Sequence, residues 1–250
     1  MPEDHFGERV AARYHESEAG MFDPAVVDPM VDLLAELAGD GAALELGIGT
    51  GRVALPLARR GVVVRGLDLS PAMVARLRAK PAGEDIPVTI GDFAATRVEG
   101  TFALAYLVFN TIGNLTTQDE QVACFENVAG HLEPAGTFVV EVGVPGIRRL
   151  PAGETMRVFD RSPTHLGVDE YDVVSQGLIS HHYSIVNGRL EASSLPQRYV
   201  WPSELDLMAR VAGLRLRDRW GGWRREPFTS ESTMHVSVWE KEACGKPMSD

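Results

Sequence analysis

The chain has 250 residues, 44% of them hydrophobic, which is enough for one large α/β domain or for a domain with a modest subdomain. Its 35 acidic and 24 basic residues give a net charge of -11, and no basic face that could bind a phosphate backbone is visible, so we expect no nucleic-acid partner. The chain begins with acidic residues, and no apolar run approaches the ~20 residues of a membrane span. Its two cysteines, Cys124 and Cys244, show neither metal nor disulfide spacing. These features predict a soluble, cytoplasmic protein without a membrane anchor or a bound metal.

Two helices are predicted at the start of the chain. Residues 3–19 are mostly polar, apart from a stripe at helical spacing formed by Phe6, Val10 and Tyr14. Tyr14 differs from the other two because a tyrosine can bury its ring and keep its hydroxyl group wet. A second helix is predicted to begin after Asp23 and to run to about residue 38.

The stretch from residue 42 to residue 58 predicts a buried strand, a glycine turn and a helix. Gly47, Gly49 and Gly51 alternate along the turn and let the backbone approach a ligand without Cβ interference. The unpaired N–H groups at the start of the helix favour an anionic group. Farther along, Asp68 ends the next apolar run, where an acid can accept hydrogen bonds from a ribose diol. The pattern therefore predicts a nucleoside-containing ligand.

Two residues help to distinguish between nucleoside cofactors. The dinucleotide fingerprint G-x-G-x-x-G needs a glycine at the position where this chain has Arg52. Glu45, just before the turn, would repel a pyrophosphate and suits a cationic amino group better. An NAD(P)-dependent oxidoreductase is therefore kept as an alternative, not as the first interpretation.

The strings E-L-G-I-G-T-G and G-L-D-L-S, which contain these residues, resemble motifs one and two of the class I S-adenosylmethionine-dependent methyltransferases. The resemblance implies that the loop from Gly47 to Gly51 meets the amino-acid end of S-adenosylmethionine and that Asp68 holds its ribose. A later G-D-F string resembles the family motif in which Asp92 contacts the adenine amino group beside Phe93. The remaining cofactor contacts that the resemblance implies are Glu45, Ile48, Gly49, Arg52, Leu69, Met73 and Phe109.

The fourth strand, predicted over residues 102–109, is apolar on both faces, as expected of a central parallel strand. Ligands in open α/β sheets bind at the carboxyl ends of the strands, so Asn110 and Asn114 are candidates for the transfer site. Turn formation and helix capping are their alternative roles. The segment lacks the [D/N]-P-P-[Y/F] signature of enzymes that methylate base amines, which argues against a nucleic-acid substrate.

The pattern βαβαβαβαβ over residues 42–144 predicts an α/β fold with a doubly wound, mostly parallel, seven-stranded Rossmann-like sheet. The last two strands resemble the antiparallel pair that ends the sheet in this family. The later elements are predicted as a helix over 118–132, a strand over 137–142, a helix over 203–212 with Ser203 as its N-cap, and strands over 214–219 and 234–239.

Between residues 155 and 201 the pattern changes to strand-like alternation, which predicts an antiparallel β insertion after the fifth strand. Its strands are expected at 156–160, 166–174, 178–186 and 198–201, with Asn187-Gly188 as a tight hairpin between two of them. The insertion could cover the mouth of the site or form a homodimer surface.

Two groups of side chains are candidates for substrate contacts. On the third insertion strand, His181 and Tyr183 share the more apolar face, which we expect to point toward a cavity. His181 is therefore a better candidate for a general base than His182, although a hydrogen-bonded surface histidine is the alternative. A basic, aromatic cluster with Trp223 and Arg224 could also line the pocket, the alternative being a surface loop packed by its tryptophans.

These interpretations predict an N-terminal helical lid (1–38), a cofactor-binding core (39–144 and 202–240), an insertion (145–201) and a tail (241–250). The resemblance implies that Tyr14 lies in the lid and takes part in catalysis, and that the acceptor is a small molecule. The insertion after the fifth strand, together with the F-N-T-I-G-N-L segment, resembles those of sugar-amine N-methyltransferases and related enzymes of antibiotic biosynthesis. Methyl transfer depends mainly on positioning, so the lack of a catalytic triad does not argue against an enzyme. Transfer to N or to O is left open, and so is a non-catalytic S-adenosylmethionine-binding module.

Overall fold

The computed structural model describes residues 5–17 and 19–242. Its helices are α1 (Glu8–Ser17), α2 (Pro24–Ala38), α3 (Ala54–Arg59), α4 (Pro71–Arg78), α5 (Gln118–His131) and α6 (Pro202–Val211). Its strands are β1 (Ala43–Leu46), β2 (Val64–Asp68), β3 (Val88–Ile90), β4 (Phe102–Leu107), β5 (Leu132–Gly143), β6 (Met156–Arg161), β7 (His165–Asp172), β8 (Gly177–Val186), β9 (Arg189–Arg198), β10 (Leu214–Trp220) and β11 (Met234–Lys241). Short 3₁₀ turns lie at Ala19–Phe22, Thr111–Asn114 and Gly146–Arg149.

Seven strands form the main sheet in the order β10-β11-β5-β4-β1-β2-β3. Strands β1 to β5 are parallel, and β11 pairs antiparallel with both β5 and β10. This confirms the doubly wound, mostly parallel sheet that the sequence predicts. The strand order reverses between β1 and β4, so a crevice opens at the carboxyl ends of these two strands.

Helices cover both faces of the sheet. On one face, α5 and α6 pack over a cluster of Phe125, Phe138 and Trp239, whose ring centroids lie 5.0 to 6.2 Å apart. On the other face, α2 buries Met30 and Leu34 against β1 and β4. Each such side chain stabilises the fold by roughly 1.5–3 kcal/mol when fully buried. The lid boundary expected at residue 38 is therefore wrong, because α2 is part of the core.

A separate four-stranded antiparallel sheet, in the order β6-β7-β8-β9, forms the insertion. Asn187 and Gly188 have φ values of 51° and 73° and join β8 to β9 as the predicted hairpin. The predicted start of the fourth strand at residue 198 is wrong, because β9 begins directly after the hairpin. Its serines and Pro196 have weak strand propensity, and the strand lies at a sheet edge, where a proline is tolerated.

Two further boundaries differ from the prediction. Helix α6 begins at Pro202 and has no side-chain cap, so Ser203 is not its N-cap. Strand β11 includes Lys241, whose Nζ donates to two main-chain oxygens near the end of α5, each at 2.8 Å. The tail therefore begins after this lysine, and Cys244 lies outside the described residues. Within the described part of the chain, no helix has the length and apolar character that crossing a bilayer requires.

Candidate active site

The glycine turn after β1 forms the floor of the crevice. Gly47, Gly49 and Gly51 have φ values of 66°, 53° and 75°, a region that glycine adopts without strain. A Cβ atom on Gly47 would lie 2.8 Å from Thr111 Cγ2, and one on Gly51 would lie 2.3 Å from Leu77 Cδ1. The turn thus requires glycine for its backbone conformation and for close packing, and Gly47 and Gly49 are half-buried whereas Gly51 is buried.

Several side chains beside the turn are buried or half-buried in the core. Ile48 is buried against Gly66, so only its main chain can meet a ligand. Met73 is also buried, and its Cε lies 3.4 Å from the place of a Cβ on Gly49. Leu69 is half-buried. The cofactor contacts assigned to these residues stay predictions.

Asp68 ends β2 at the edge of the crevice and is 8% exposed. Its Oδ2 accepts a hydrogen bond from Gly49 N at 2.6 Å, and its Oδ1 accepts one from Ser70 N at 2.8 Å. These bonds tie the glycine turn to α4, whose N-cap is the Ser70 hydroxyl, accepting from Met73 N at 3.4 Å. Each carboxylate oxygen has a second lone pair, so Asp68 can also accept from a diol.

Glu45 is buried near the carboxyl end of β1, opposite Tyr106 of β4. The Tyr106 hydroxyl donates to Glu45 Oε2 at 2.9 Å. Burial raises the pKa of Glu45 to about 8, and the Tyr106 bond and the positive charge of Arg52 offset that effect only in part. A neutral carboxyl group therefore lies beneath the glycine turn, where a bound cation would favour its ionised form.

Three side chains converge where β4 and β5 end. The guanidinium of Arg52 lies over the Phe109 ring, 5.2 Å from its centroid. Phe109 and Asn110 both have positive φ values, 60° and 59°, which turn the chain sharply after β4. Phe109 N donates to Glu141 Oε2 at 2.9 Å. The fold places Glu141 at the side of the crevice opposite Asp68. The sequence does not indicate this residue, because a single acid in an apolar strand forms no motif.

The two candidate asparagines hold neighbouring segments together. Asn110 Oδ1 accepts from Gly143 N at 2.6 Å, which joins the ends of β4 and β5. Asn114 Oδ1 accepts from Gln197 Nε2 at 3.5 Å, which joins the loop after β4 to the insertion. Both asparagines lie beside the crevice, and their part in transfer or substrate binding stays a prediction.

The G-D-F string follows β3, as predicted. Asp92 Oδ1 accepts from Ala94 N at 2.8 Å and so stabilises its own turn. Phe93 packs in the apolar core and is 8% exposed, so little of its ring can face a ligand. The adenine contacts expected of both residues stay predictions.

The lid segment, defined here as residues 5–17 and 19–22, contacts α4. Ser70 Oγ donates to Phe6 O at 2.9 Å. Arg76 of α4 pairs with Glu8 of α1 at 3.1 Å. The same serine therefore binds the lid through its hydroxyl group and Asp68 through its main-chain N–H group.

The end of the lid segment contacts the glycine turn and its surroundings. Arg52 Nη1 donates to Met21 O at 3.3 Å, and the Lys80 ammonium lies 5.2 Å from the centroid of the Phe22 ring. Tyr14 packs edge-to-face on Phe22 at 6.4 Å. These contacts place the segment across the cofactor side of the crevice, where a lid is expected. The catalytic role of Tyr14 stays a prediction.

The insertion sheet presents one face, here called the inner face, toward the crevice. Tyr171 of this face lies against the turn after β5, where a Cβ on Gly146 would meet its hydroxyl at 2.6 Å. Gln197 of the same face reaches Asn114, after β4. The cross-strand register also assigns polar residues to the inner face, namely Arg157, Asp160, His165, Asp169, Ser180 and His182.

The orientation predicted for β8 is wrong. His181, Tyr183 and Ile179 lie on the opposite face, here called the outer face, where Tyr183 is 39% and Ile179 40% exposed. His181 is hydrogen-bonded there, with Nδ1 2.8 Å from Ser194 Oγ and Nε2 3.2 Å from Glu170 Oε2. This is the surface histidine given as the alternative, and the placement favours neither a base role for His181 nor a substrate contact for Tyr183. Alternation separates the two faces of a strand but does not say which face packs inward.

The inner face carries a hydrogen-bonded chain that the sequence pattern does not indicate. His182 Nδ1 lies 3.1 Å from His165 Nε2, and His165 Nδ1 in turn contacts Asp160 Oδ2. On its other side, His182 Nε2 lies 3.3 Å from Ser180 Oγ. Burial and the charge of His165 lower the pKa of His182. The only signal in the sequence is the i, i+2 spacing of Ser180 and His182.

Trp223 and Arg224 lie in the loop after β10, which folds against α2. Trp223 packs against the core on the α2 side, and the neighbouring Arg225 pairs with Glu36 of α2 at 2.5 Å. The main-chain N of Arg224 donates to Glu226. The cluster is therefore a surface loop packed by its tryptophan, and this position does not support the predicted substrate contacts.

The glycine turn, Asp68 and the buried Glu45 lie together at the carboxyl ends of β1 and β2, where Rossmann-like enzymes bind a nucleoside cofactor. A family model described as a methyltransferase domain matches residues 43–136. The CcbJ methyltransferase from Streptomyces caelestis is 36% identical, and the match covers 95% of this chain and 98% of that chain with a TM-score of 0.85. The chain belongs to the S-adenosylmethionine-dependent methyltransferases.

Two other matches agree with this assignment. A cypemycin N-terminal methyltransferase from a Streptomyces species is 27% identical over 89% of this chain and 100% of its own length. CalS10, an amino pentose methyltransferase from Micromonospora echinaspora, shares the fold with a TM-score of 0.67, at 20% identity over 95% of this chain and 99% of that chain. The protein is an enzyme that uses S-adenosylmethionine, and neither an NAD(P)-dependent oxidoreductase nor a non-catalytic module is favoured.

Proposed function

We propose that this enzyme methylates an amine nitrogen of a small natural product, with a secondary metabolite or an amino sugar as the acceptor class. The position of Glu141 carries the proposal. Its Oε2 is held by Phe109 N beside the Arg52–Phe109 stack, at the end of β5 and opposite the ribose-type Asp68. A protonated amine is attracted to a carboxylate and must lose a proton before it can attack a methyl group.

Transfer to a hydroxyl group is the less favoured alternative. An alcohol is a far weaker acid than an ammonium group, so a carboxylate is poorly matched to remove its proton. The net charge of -11 also attracts cationic acceptors. The relative that methylates the N-terminus of cypemycin, by its name, adds support for an amine.

Each part of the site has a role in this proposal. When bound, S-adenosylmethionine supplies a methyl group on a sulfonium leaving group. The glycine turn and Asp68 orient the cofactor, and Glu45 stabilises its cationic amino group. The lid segment excludes water, and the inner face of the insertion limits the size of the acceptor. Glu141 binds the acceptor amine and receives its proton.

The proposal is tested with matched pairs of amines and alcohols on amino-sugar and peptide N-terminus scaffolds, measuring S-adenosylhomocysteine formation. We expect turnover with the amines only. In Glu141→Gln, kcat/KM for the best amine should fall about 10²-fold while S-adenosylmethionine affinity is retained.

Glu84→Gln, at an exposed loop position, is the matched control and should behave like the wild type. Turnover of the alcohols instead, or full activity of Glu141→Gln, would contradict the proposal.

A further inference from the structure

A buried network of polar side chains lies where the insertion joins the main domain. Its centre is the guanidinium of Arg198, the last residue of β9, which is 4% exposed. Arg198 Nη2 donates to Glu204 Oε1 of α6 at 2.7 Å and to Gln176 Oε1, in the turn between β7 and β8, at 3.0 Å. Its Nη1 donates to Gln121 Oε1 of α5 at 2.5 Å. One planar group with five N–H donors therefore joins two parts of the insertion to two helices of the main domain.

Gln121 extends this network to the loop after β4, here called the transfer loop (residues 109–115). Gln121 is fully buried. Its Nε2 donates to Ile112 O and Leu115 O, each at 3.2 Å, and to Arg198 O at 3.4 Å. An amide carries both N–H donors and an oxygen acceptor, so Gln121 binds the loop carbonyls and the guanidinium at the same time. A carboxylate of the same length accepts hydrogen bonds but cannot donate them.

The transfer loop has a backbone conformation that depends on outside contacts. Phe109 and Asn110 have consecutive φ values of 60° and 59°, a region that a residue with a Cβ atom disfavours. Such conformations persist where the surrounding structure holds them. Next to β5, the loop is held by the bonds from Phe109 N to Glu141 Oε2 and from Gly143 N to Asn110 Oδ1. Next to α5, the hydrogen bonds of Gln121 hold its other end.

We propose that Gln121 is a positioning residue for methyl transfer, which fixes the transfer loop to the end of β9. The loop places Asn110 and Asn114 beside the crevice, and the insertion presents its inner face to the same crevice. The two parts that enclose an acceptor therefore meet at Gln121 and Arg198. They also pack closely there, since a Cβ on Gly113 would lie 3.4 Å from Arg198 O. Because Gln121 is fully buried, it acts through the loop and not by touching a reactant.

The distance that methyl transfer tolerates gives this link its importance. The acceptor atom must lie about 3–3.5 Å from the methyl carbon and in line with the bond that breaks, and a shift of about 1 Å can cost about 10²-fold in rate. The cofactor side of the crevice is held separately, through the bonds of Asp68 to Gly49 N and Ser70 N. Loss of the Gln121 bonds should therefore slow transfer while the cofactor still binds. This holds for a nitrogen and for an oxygen acceptor, so the inference does not depend on the amine proposal.

Two variants and a matched control separate the loop contacts from the rest of the network. Gln121→Glu keeps the side-chain length and the acceptor for Arg198, but it loses the donation to the loop carbonyls. Gln121→Met keeps a side chain of similar length and loses both kinds of bond. Gln118→Ala is the control, because Gln118 is exposed, lies three residues earlier in α5, and donates to Glu204 Oε1 at 2.8 Å rather than to the loop.

Hydrogen exchange measured by mass spectrometry on the full chain tests the link without any acceptor. We expect amides of the transfer loop to exchange at least about 10-fold faster in both Gln121 variants, while β1 and β2 exchange at the wild-type rate. Gln118→Ala should match the wild type throughout. Wild-type exchange of the transfer loop in both Gln121 variants would overturn the proposal.

Turnover shows whether the link matters for the reaction. The acceptor is whichever compound in the amine and alcohol series gives the highest turnover, so failure of the amine proposal leaves this measurement unchanged. In both Gln121 variants, kcat should fall about 10- to 100-fold, while the S-adenosylmethionine dissociation constant from calorimetry stays within about 3-fold of the wild type. Gln118→Ala should keep the wild-type kcat. Circular dichroism measures the folded fraction, and Gln121 variants that are less stable but retain the wild-type kcat per folded molecule would overturn the proposal.

Discussion

At the scale of single residues, the most informative group is Glu45. It is buried beside the Tyr106 hydroxyl rather than in an ion pair, and this burial keeps it protonated at neutral pH. The proposed cofactor amino group is a cation, and a cation favours the ionised carboxylate. Binding at pH 7 must then release the Glu45 proton, so cofactor affinity should rise with pH up to about 8, where the free group ionises.

The prediction is that S-adenosylmethionine binding releases close to one proton more from the wild type than from Glu45→Gln at pH 7. Calorimetric titration in two buffers of different ionisation enthalpy measures this number. Glu45→Gln, which cannot ionise, supplies the baseline and should bind about 10- to 100-fold more weakly at pH 8. Equal proton release by both proteins would show that Glu45 does not face the cofactor's charge.

At the scale of elements, the lid segment and α4 share Ser70. Its hydroxyl caps α4 and also donates to Phe6 O. We predict that Ser70→Ala lowers the free energy of unfolding by about 1 kcal/mol and speeds amide hydrogen exchange in α1. Thr117→Ala, which removes the N-cap of α5, is the control for lost capping alone.

The control should be destabilised to a similar extent without faster exchange in α1. If α1 exchanges at the wild-type rate in Ser70→Ala, the lid is held by other contacts.

The elements also show what the sequence could predict. The cofactor half of the site follows local rules, since glycines, an acid at a strand end and an N-cap each act within a few residues of one another. Glu141 could not be found in this way, because its importance comes from the pairing of β5 with β4. The orientation of β8 could not be found in this way either, because local hydrophobicity does not mark the inward face of this strand: its more apolar face is the outer one.

At the scale of the whole molecule, buried titratable groups make stability depend on pH. His235 of β11 is fully buried, its Nδ1 lies 2.8 Å from Ser237 Oγ, and its pKa is lowered to about 4, chiefly by burial. In the unfolded chain this histidine has an ordinary pKa near 6.5. Between about pH 4 and pH 6.5 the unfolded chain therefore binds more protons than the folded chain does. Stability contributed by this group is therefore lost as the pH falls from about 6.5 to 4.

We predict that the wild type loses about 2 kcal/mol more stability than His235→Asn between pH 7 and pH 5. Urea denaturation at both pH values measures the difference, and Asn can keep a polar contact with Ser237. Comparison with the variant cancels the opposite trend of Glu45, whose raised pKa makes the fold less stable as pH rises from about 4.5 to 8. If the free energy of unfolding falls equally in both proteins between pH 7 and pH 5, the loss of stability in acid comes from groups other than His235.

The attachment of the lid has a kinetic consequence. Its contacts run to Ser70, Arg76, Arg52 and Lys80, which surround the cofactor side of the crevice, whereas Glu141 lies at the side facing the insertion. Exchange of the nucleoside must break these contacts, while an acceptor can come and go beneath the inner face. Catalysis should then follow a compulsory order, with S-adenosylmethionine first on and S-adenosylhomocysteine last off, and the spent cofactor should act as a competitive product inhibitor against fresh cofactor.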